Sequence, residues 1–150
     1  MSEPSAVDQL YQAVIVEHDR APRNLGPLPT ATHRATVDNP LCGDVVTLHV
    51  ELAGGAVCAV TFEGQGCALS RAAASILTTR LPGVSLADAL ALAAAFEAFV
   101  QSAPDAPTPA GLGDLAAFSG VRRFRSRRAC ATLPLRALLA AVGDDAHQVR

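Results

Sequence analysis

The stretch Val45–Phe62, VVTLHVELAGGAVCAVTF, decides how the chain folds. Val46, Leu48, Val50 and Leu52 fall on one side of an alternating run, and Thr47, His49 and Glu51 on the other. That period of two marks a half-buried strand. Ala53-Gly54-Gly55 reads as a turn. The chain then returns over Ala56–Phe62, with Cys58, Val60 and Phe62 assigned to one face. The two runs predict an antiparallel hairpin, and His33–Asp38 is expected to add a third short strand. On this reading Cys58 is a small buried apolar residue and His49 is solvated.

Outward from the hairpin the pattern turns helical. Upstream, Val7, Leu10, Tyr11, Val14, Ile15 and His18 recur at helical spacing, and Ser5 with Asp8 suggests a capping box. A helix over Ala6–Asp19 is predicted, stopped by the prolines and glycine of APRNLGP. Downstream, EGQG leads through Cys67 into a helical pattern ending near Leu81. Ser85 opens a second helix over Leu86–Gln101. The proline-rich SAPDAPTPAG is expected to be a mobile loop. A short helix near Leu112–Phe118 follows, and a last helix over Thr132–Val142, with Pro134 in its first turn and Gly143 at its end.

The chain has 150 residues, half of them apolar and 17% charged, which is enough for an ordered core. No repeat or boundary divides it, so residues 1–150 are read as one domain. The class is α+β: a small antiparallel three-stranded sheet with helices packed on one face. The net charge of −2 argues against binding nucleic acid or anionic membranes. The apolar run Leu86–Val100 is too short, and too interrupted by Asp88 and Glu97, to span a bilayer. The opening MSEPSAVDQL has neither a basic region nor an apolar stretch, so no signal peptide is predicted and a cytoplasmic location is expected. In that compartment thiols stay reduced, which favours metal binding or chemistry for the four cysteines.

Three of the four fall at element ends. Cys42 lies in the turn NPLCGD, with Asp44 two residues on. Cys67 follows two glycines, at a helix start whose free amides favour a thiolate. Cys130 is read as lying just ahead of the last helix. Three thiolates and a carboxylate make the four ligands of a tetrahedral zinc site. Gaps of 24 and 62 residues between the cysteines are not a zinc-finger pattern. Spacing alone leaves a metal site and three independent thiols both open.

Taken together, YQAVIVEHDRAPRN, NPLCGD, FEGQGCALSRAAAS and FSGVRRF with CATLPLRAL resemble the NifU N-terminal/IscU superfamily over nearly the whole chain. The resemblance implies Cys42, Asp44, Cys67 and Cys130 as metal ligands. IscU-type scaffolds carry a histidine before the third cysteine and a Pro-Val-Lys motif upstream. Here Ala129 precedes Cys130 and the motif is missing. GVR followed by CATLP is more similar to the SufU branch, the zinc-dependent sulfurtransferases. What this branch implies is zinc as cofactor and a persulfide relay from a SufS-type cysteine desulfurase to SufBCD-type iron–sulfur cluster assembly machinery. In that branch a desulfurase histidine replaces one cysteine on zinc, and the first cysteine, Cys42 here, accepts the sulfur. A turn flanked by Pro40 and Gly43 can swing, whereas Cys67 and Cys130 are expected to be anchored. Two rivals remain: a scaffold assembling a two-iron, two-sulfur cluster on the same ligands, and a non-catalytic zinc module that activates the desulfurase. The chain departs from the family at Ala72 and Ala73, where serines are frequent, and near Arg125, where a proline is usual.

Arg122, Arg123, Arg125, Arg127 and Arg128 put five arginines in seven residues. A solvated face and a docking surface for an acidic partner both fit. Arg127 matches the family's basic position before the third cysteine, and Arg125 is assigned with it to partner binding. His18 is read as a packed or capping histidine. His33 and His147 have no supporting context.

Overall fold

The computed structural model describes residues 6–143; Ser5 of the expected capping box and His147 lie outside them. Helix α1 spans Ala6–Arg20, strand β1 His33–Asn39, β2 Asp44–Ala53 and β3 Ala56–Gln65. Helices α2 (Ala68–Arg80) and α3 (Leu86–Gln101), a 3₁₀ segment (Gly113–Arg123) and α4 (Arg125–Val142) complete the chain.

The three strands form one antiparallel sheet in the order β1-β2-β3. Val46, Leu48 and Val50 of β2, with Val60 and Phe62 of β3, are buried on the inner face, where α2 and α4 pack. Ala72, Ala73 and Ala74 are wholly buried, and their small side chains let α2 lie close to its neighbours. Helix α1 is fastened to α2 by polar contacts. His18 Nδ1 and Ser75 Oγ are 2.7 Å apart, and Arg71 Nε pairs with Asp19 Oδ1 at 3.3 Å. Burial, the main cause, holds the His18 pKa below the ordinary histidine value, so the packed ring stays neutral. Helix α3 has the predicted bounds, and its cap Ser85 accepts from the Asp88 amide at 3.0 Å.

The sheet corrects two expectations. The β2–β3 register slips between Glu51 and Leu52: Glu51 faces Ala59, but Leu52 faces Val57. Cys58 is the unpaired residue of this bulge and is exposed, while Val57 takes the buried position. An inserted residue reverses the alternation on one side of it, so Cys58 is not core. His49 does sit on the outer face, yet it is buried. Leu25 pairs with Phe62 on the free edge of β3, and the chain reaches β1, at the other edge, by crossing this face. On the way Thr30 donates to Glu51 at 2.7 Å, and Pro27, Leu28 and Pro29 border a cavity of about 400 Å³ with His49. Under this cover His49 pairs with Glu63 Oε1 at 2.7 Å.

Beyond α3 the differences are larger. The short helix is a 3₁₀ segment running on to Arg123, with Phe118 packed edge-on against Phe96 of α3 at 5.5 Å. Arg122 is buried, not solvated or free to dock. Its Nε donates to Ser119 O at 3.0 Å, and Nη1 lies within 3.1 Å of Ser102 Oγ, Ala103 O and Ala106 O. The guanidinium also stacks 4.6 Å from the Phe99 ring centroid. It thereby pins the proline-rich loop that the sequence presents as mobile. Helix α4 begins at Arg125, seven residues before the expected start.

Candidate metal centre

The register of β1 on β2 fixes the first element of the site. Asn39 pairs with Asp44, so Pro40, Leu41, Cys42 and Gly43 form the tip of a hairpin. The buried Asn39 accepts the amide of Leu41 on its side chain at 3.1 Å, and the amides of Cys42 and Gly43 on its carbonyl. Gly43 has φ of 78°, a left-handed conformation that glycine adopts without strain. Cys42 is exposed at this tip, beside an almost fully exposed Leu41.

Asp44, the first residue of β2, is buried. Its Oδ1 accepts the amide of Cys67 at 3.1 Å, and Cys67 is the N-cap of α2, as expected. Cys130 is also buried, but it lies inside α4 and not ahead of it. Pro134 stands four residues further along the same helix, not in its first turn. Having no N–H, it cannot bond the Cys130 carbonyl.

One ligand atom each from Cys42, Asp44 and Cys130 lie within 4.8 Å of one another, with the two sulfurs 3.8 Å apart. The Cys67 sulfur stands outside this tight group, 3.9 Å from Ser70 Oγ, but its amide ties it to Asp44. Asp44 Oδ2 is buried without a hydrogen-bond partner, a costly state for a carboxylate oxygen unless something else meets it. Burial raises the Asp44 pKa, but the thiols of Cys67, Cys42 and Cys130 and the Cys67 amide outweigh it and hold the acid below its ordinary value. Burial first, then the neighbouring Cys67 and Cys42 thiols, push the Cys130 thiol far above the ordinary cysteine value. The pocket thus sets a charged carboxylate beside a buried Cys130 thiol whose ionisation a cation would favour. Two sulfurs and an orphaned carboxylate oxygen, with a third sulfur beside them, fit zinc.

Thiols must deprotonate to bind zinc, so zinc affinity of the metal-free protein is expected to rise from pH 6 to pH 8. Each thiol proton released adds about tenfold per pH unit. Competition titration against a chromophoric chelator measures the slope.

An α+β domain with a thiol–carboxylate cluster at the sheet's end is the class that fold and site define. The chain belongs to the family of the NifU-like N-terminal domain, whose model matches residues 10–131. Among its relatives is the zinc-dependent sulfurtransferase SufU of Bacillus subtilis, 36% identical over 145 residues, which is 97% of each chain. The iron–sulfur cluster assembly scaffold protein IscU of Streptococcus pyogenes is 34% identical, over 95% of this chain and 89% of its own. A solved NifU-like N-terminal protein of Brucella abortus superposes with a TM-score of 0.82 at 27% identity, covering 97% of this chain and all of the other.

Proposed function

We propose that the protein is a zinc-dependent sulfur carrier for iron–sulfur cluster assembly. Persulfide sulfur would come from a SufS-type cysteine desulfurase and go to SufBCD-type machinery in the cytoplasm. The observation that carries the reading is the pairing of an exposed thiol, Cys42, with a buried one, Cys130, across 3.8 Å and beside the orphaned Asp44 oxygen. Cys42, Asp44, Cys67 and Cys130 would hold the metal. The likeness to the Bacillus sulfurtransferase over almost the full length of both chains supports zinc and sulfur transfer.

Zinc, when bound, keeps its cysteines deprotonated at neutral pH. The chain itself does the rest. The Cys42 thiolate attacks the outer sulfur of the desulfurase persulfide; the new S–S bond forms on Cys42 as the old one breaks, and the desulfurase cysteine leaves as a thiolate. Cys42 can reach outward because it sits at a hairpin tip. Cys130 is held inside a helix and Cys67 caps one.

The test combines metal analysis with mass spectrometry after brief incubation with desulfurase and cysteine. One zinc per chain and an extra sulfur on the Cys42 peptide are expected. Extra sulfur on Cys130 alone would reassign the acceptor, and stimulation without any persulfide would favour a non-catalytic activator. The scaffold reading has its own support in the Streptococcus relative and in a donor set that also suits iron–sulfur clusters. A stable iron–sulfur chromophore without zinc would select it.

Docking is assigned to the exposed residues around the start of α4. Arg127 lies 4.4 Å from the centroid of the half-exposed Phe124 ring, and both border a cavity of about 670 Å³ that reaches Cys67. Arg125 is exposed beside them. Reversing Arg125 and Arg127 to glutamate is expected to weaken desulfurase stimulation and flatten its salt dependence, because screening acts on exposed charges. Steady-state assays from low to physiological salt measure both.

A further inference from the structure

Two glycines of EGQGC crowd the start of β2 in different ways. At Gly64 an added Cβ would lie 2.2 Å from the carbonyl oxygen of Val45, a clash with backbone. At Gly66 the clash is with side chains: 2.6 Å from Ser70 Oγ, 2.9 Å from Asp44 Cγ and 3.0 Å from Asp44 Oδ1. Gly66 is not in the left-handed region, so its demand is for space and not for dihedral freedom.

Neither neighbour has an easy retreat. Ser70 is wholly buried, and its hydroxyl donates to the Cys67 carbonyl at 3.2 Å. Asp44 is buried, with Oδ1 on the Cys67 amide and Oδ2 unpartnered. Of the two, Asp44 has the more to lose. Rotating its carboxylate away breaks the bond to Cys67 and carries the oxygen away from the Cys42 and Cys130 sulfurs.

We infer that Gly66 is a positioning residue for the metal centre: its missing side chain is the space that holds the Asp44 carboxylate against Cys67 and among the thiols. The inference rests on the proposed metal site. It assigns to Gly66 a job separate from that of Gly64, which lets the end of β3 approach the backbone of β2. A methyl group at position 66 should therefore act as though Asp44 had been removed, with the fold retained.

Gly66→Ala is compared with Asp44→Ala and with the double variant, using zinc affinity and the absorption spectrum of the cobalt-substituted protein. Cobalt bands report the donor set directly. Gly66→Ala is expected to weaken zinc binding about 10–100-fold, the usual effect of disturbing a group that orients a ligand. Its cobalt spectrum should match that of Asp44→Ala, and the double variant should bind no more weakly than Asp44→Ala alone. Wild-type affinity and spectrum in Gly66→Ala would overturn the inference, and so would losses that add in the double variant. If Gly66→Ala does not fold, Gly66→Ala with Ser70→Gly removes the closest clash and takes its place; failure of that variant too would show a general structural role and overturn the inference. The metal reading fails differently: the wild type would then bind neither zinc nor cobalt, or Asp44→Ala would leave both unchanged.

Discussion

Under the proposed relay, Cys42→Ala is expected to leave a SufS-type desulfurase at its basal rate and to gain no added sulfur itself, while binding zinc more weakly. This result is expected from where the thiols sit. Cys42 is the exposed member of the cluster, at a hairpin tip, whereas Cys130 is buried and Cys67 is only partly open. Removing the exposed thiol takes away the one that stands furthest into solvent; Cys67 borders a cavity but caps a helix. Asp44, Cys67 and Cys130 remain, and three protein ligands with a water in the fourth place form a workable zinc site. Cys130→Ala is expected to fail in another way, losing most of the zinc together with activity. Metal content and desulfurase stimulation, measured on both variants, separate the two failures. Persistent stimulation by Cys42→Ala would count against the relay.

Arg122→Ala is expected to cost about 2–4 kcal/mol, near the top of what single substitutions do. The guanidinium serves Ser119, Ser102, Ala103 and Ala106 and stacks on Phe99. Alanine leaves these part-buried acceptors without their donor and opens a gap under the 102–106 loop. Arg122 also accepts at its own carbonyl from Arg128 Nε at 2.8 Å, so the loosened segment adjoins the helix that carries Cys130. For a chain of this size the loss corresponds to a drop in Tm of roughly 5–15 °C. Arg122→Lys should recover little, because a single ammonium cannot replace a planar fork that bonds on several sides and stacks on a ring. Thermal unfolding of both variants tests this, and a lysine variant close to wild type would show that charge alone matters there.

β2, α1 and α3 were legible because their apolar periods run long enough to read. Cys58 was misread because alternation assumes no inserted residue, and the bulge after Glu51 has no signature in a run of small residues. His49 obeyed the alternation, yet it is buried by a segment about twenty residues upstream, a contact that no local pattern contains. The start of α4 was hidden by arginines and by a cap, Phe124, that makes no side-chain capping bond. Pro134 then suggested a first turn that lies further back. Arg122 looked like its neighbours in a basic run, and only the folded loop sets it apart. Cys42 in a turn and Cys67 at a helix start were legible as such, whereas Cys130, expected ahead of the last helix, lies inside it. What local sequence could not show was Cys67 standing a little apart from the tight group of Cys42, Asp44 and Cys130.

The hairpin ladder that closes at Asn39 and Asp44 also sets a length. With Asp44 held in the strand, two peptide units tether Cys42, so its Cα can stand at most roughly 7 Å from that of Asp44. Such an arm cannot carry cargo between distant stations. Under the proposed relay, donor and acceptor would each have to bring their reacting cysteine to the hairpin tip, and in turn, because the arm's radius is so small. Delivery in that relay would be paced by how quickly the first partner leaves.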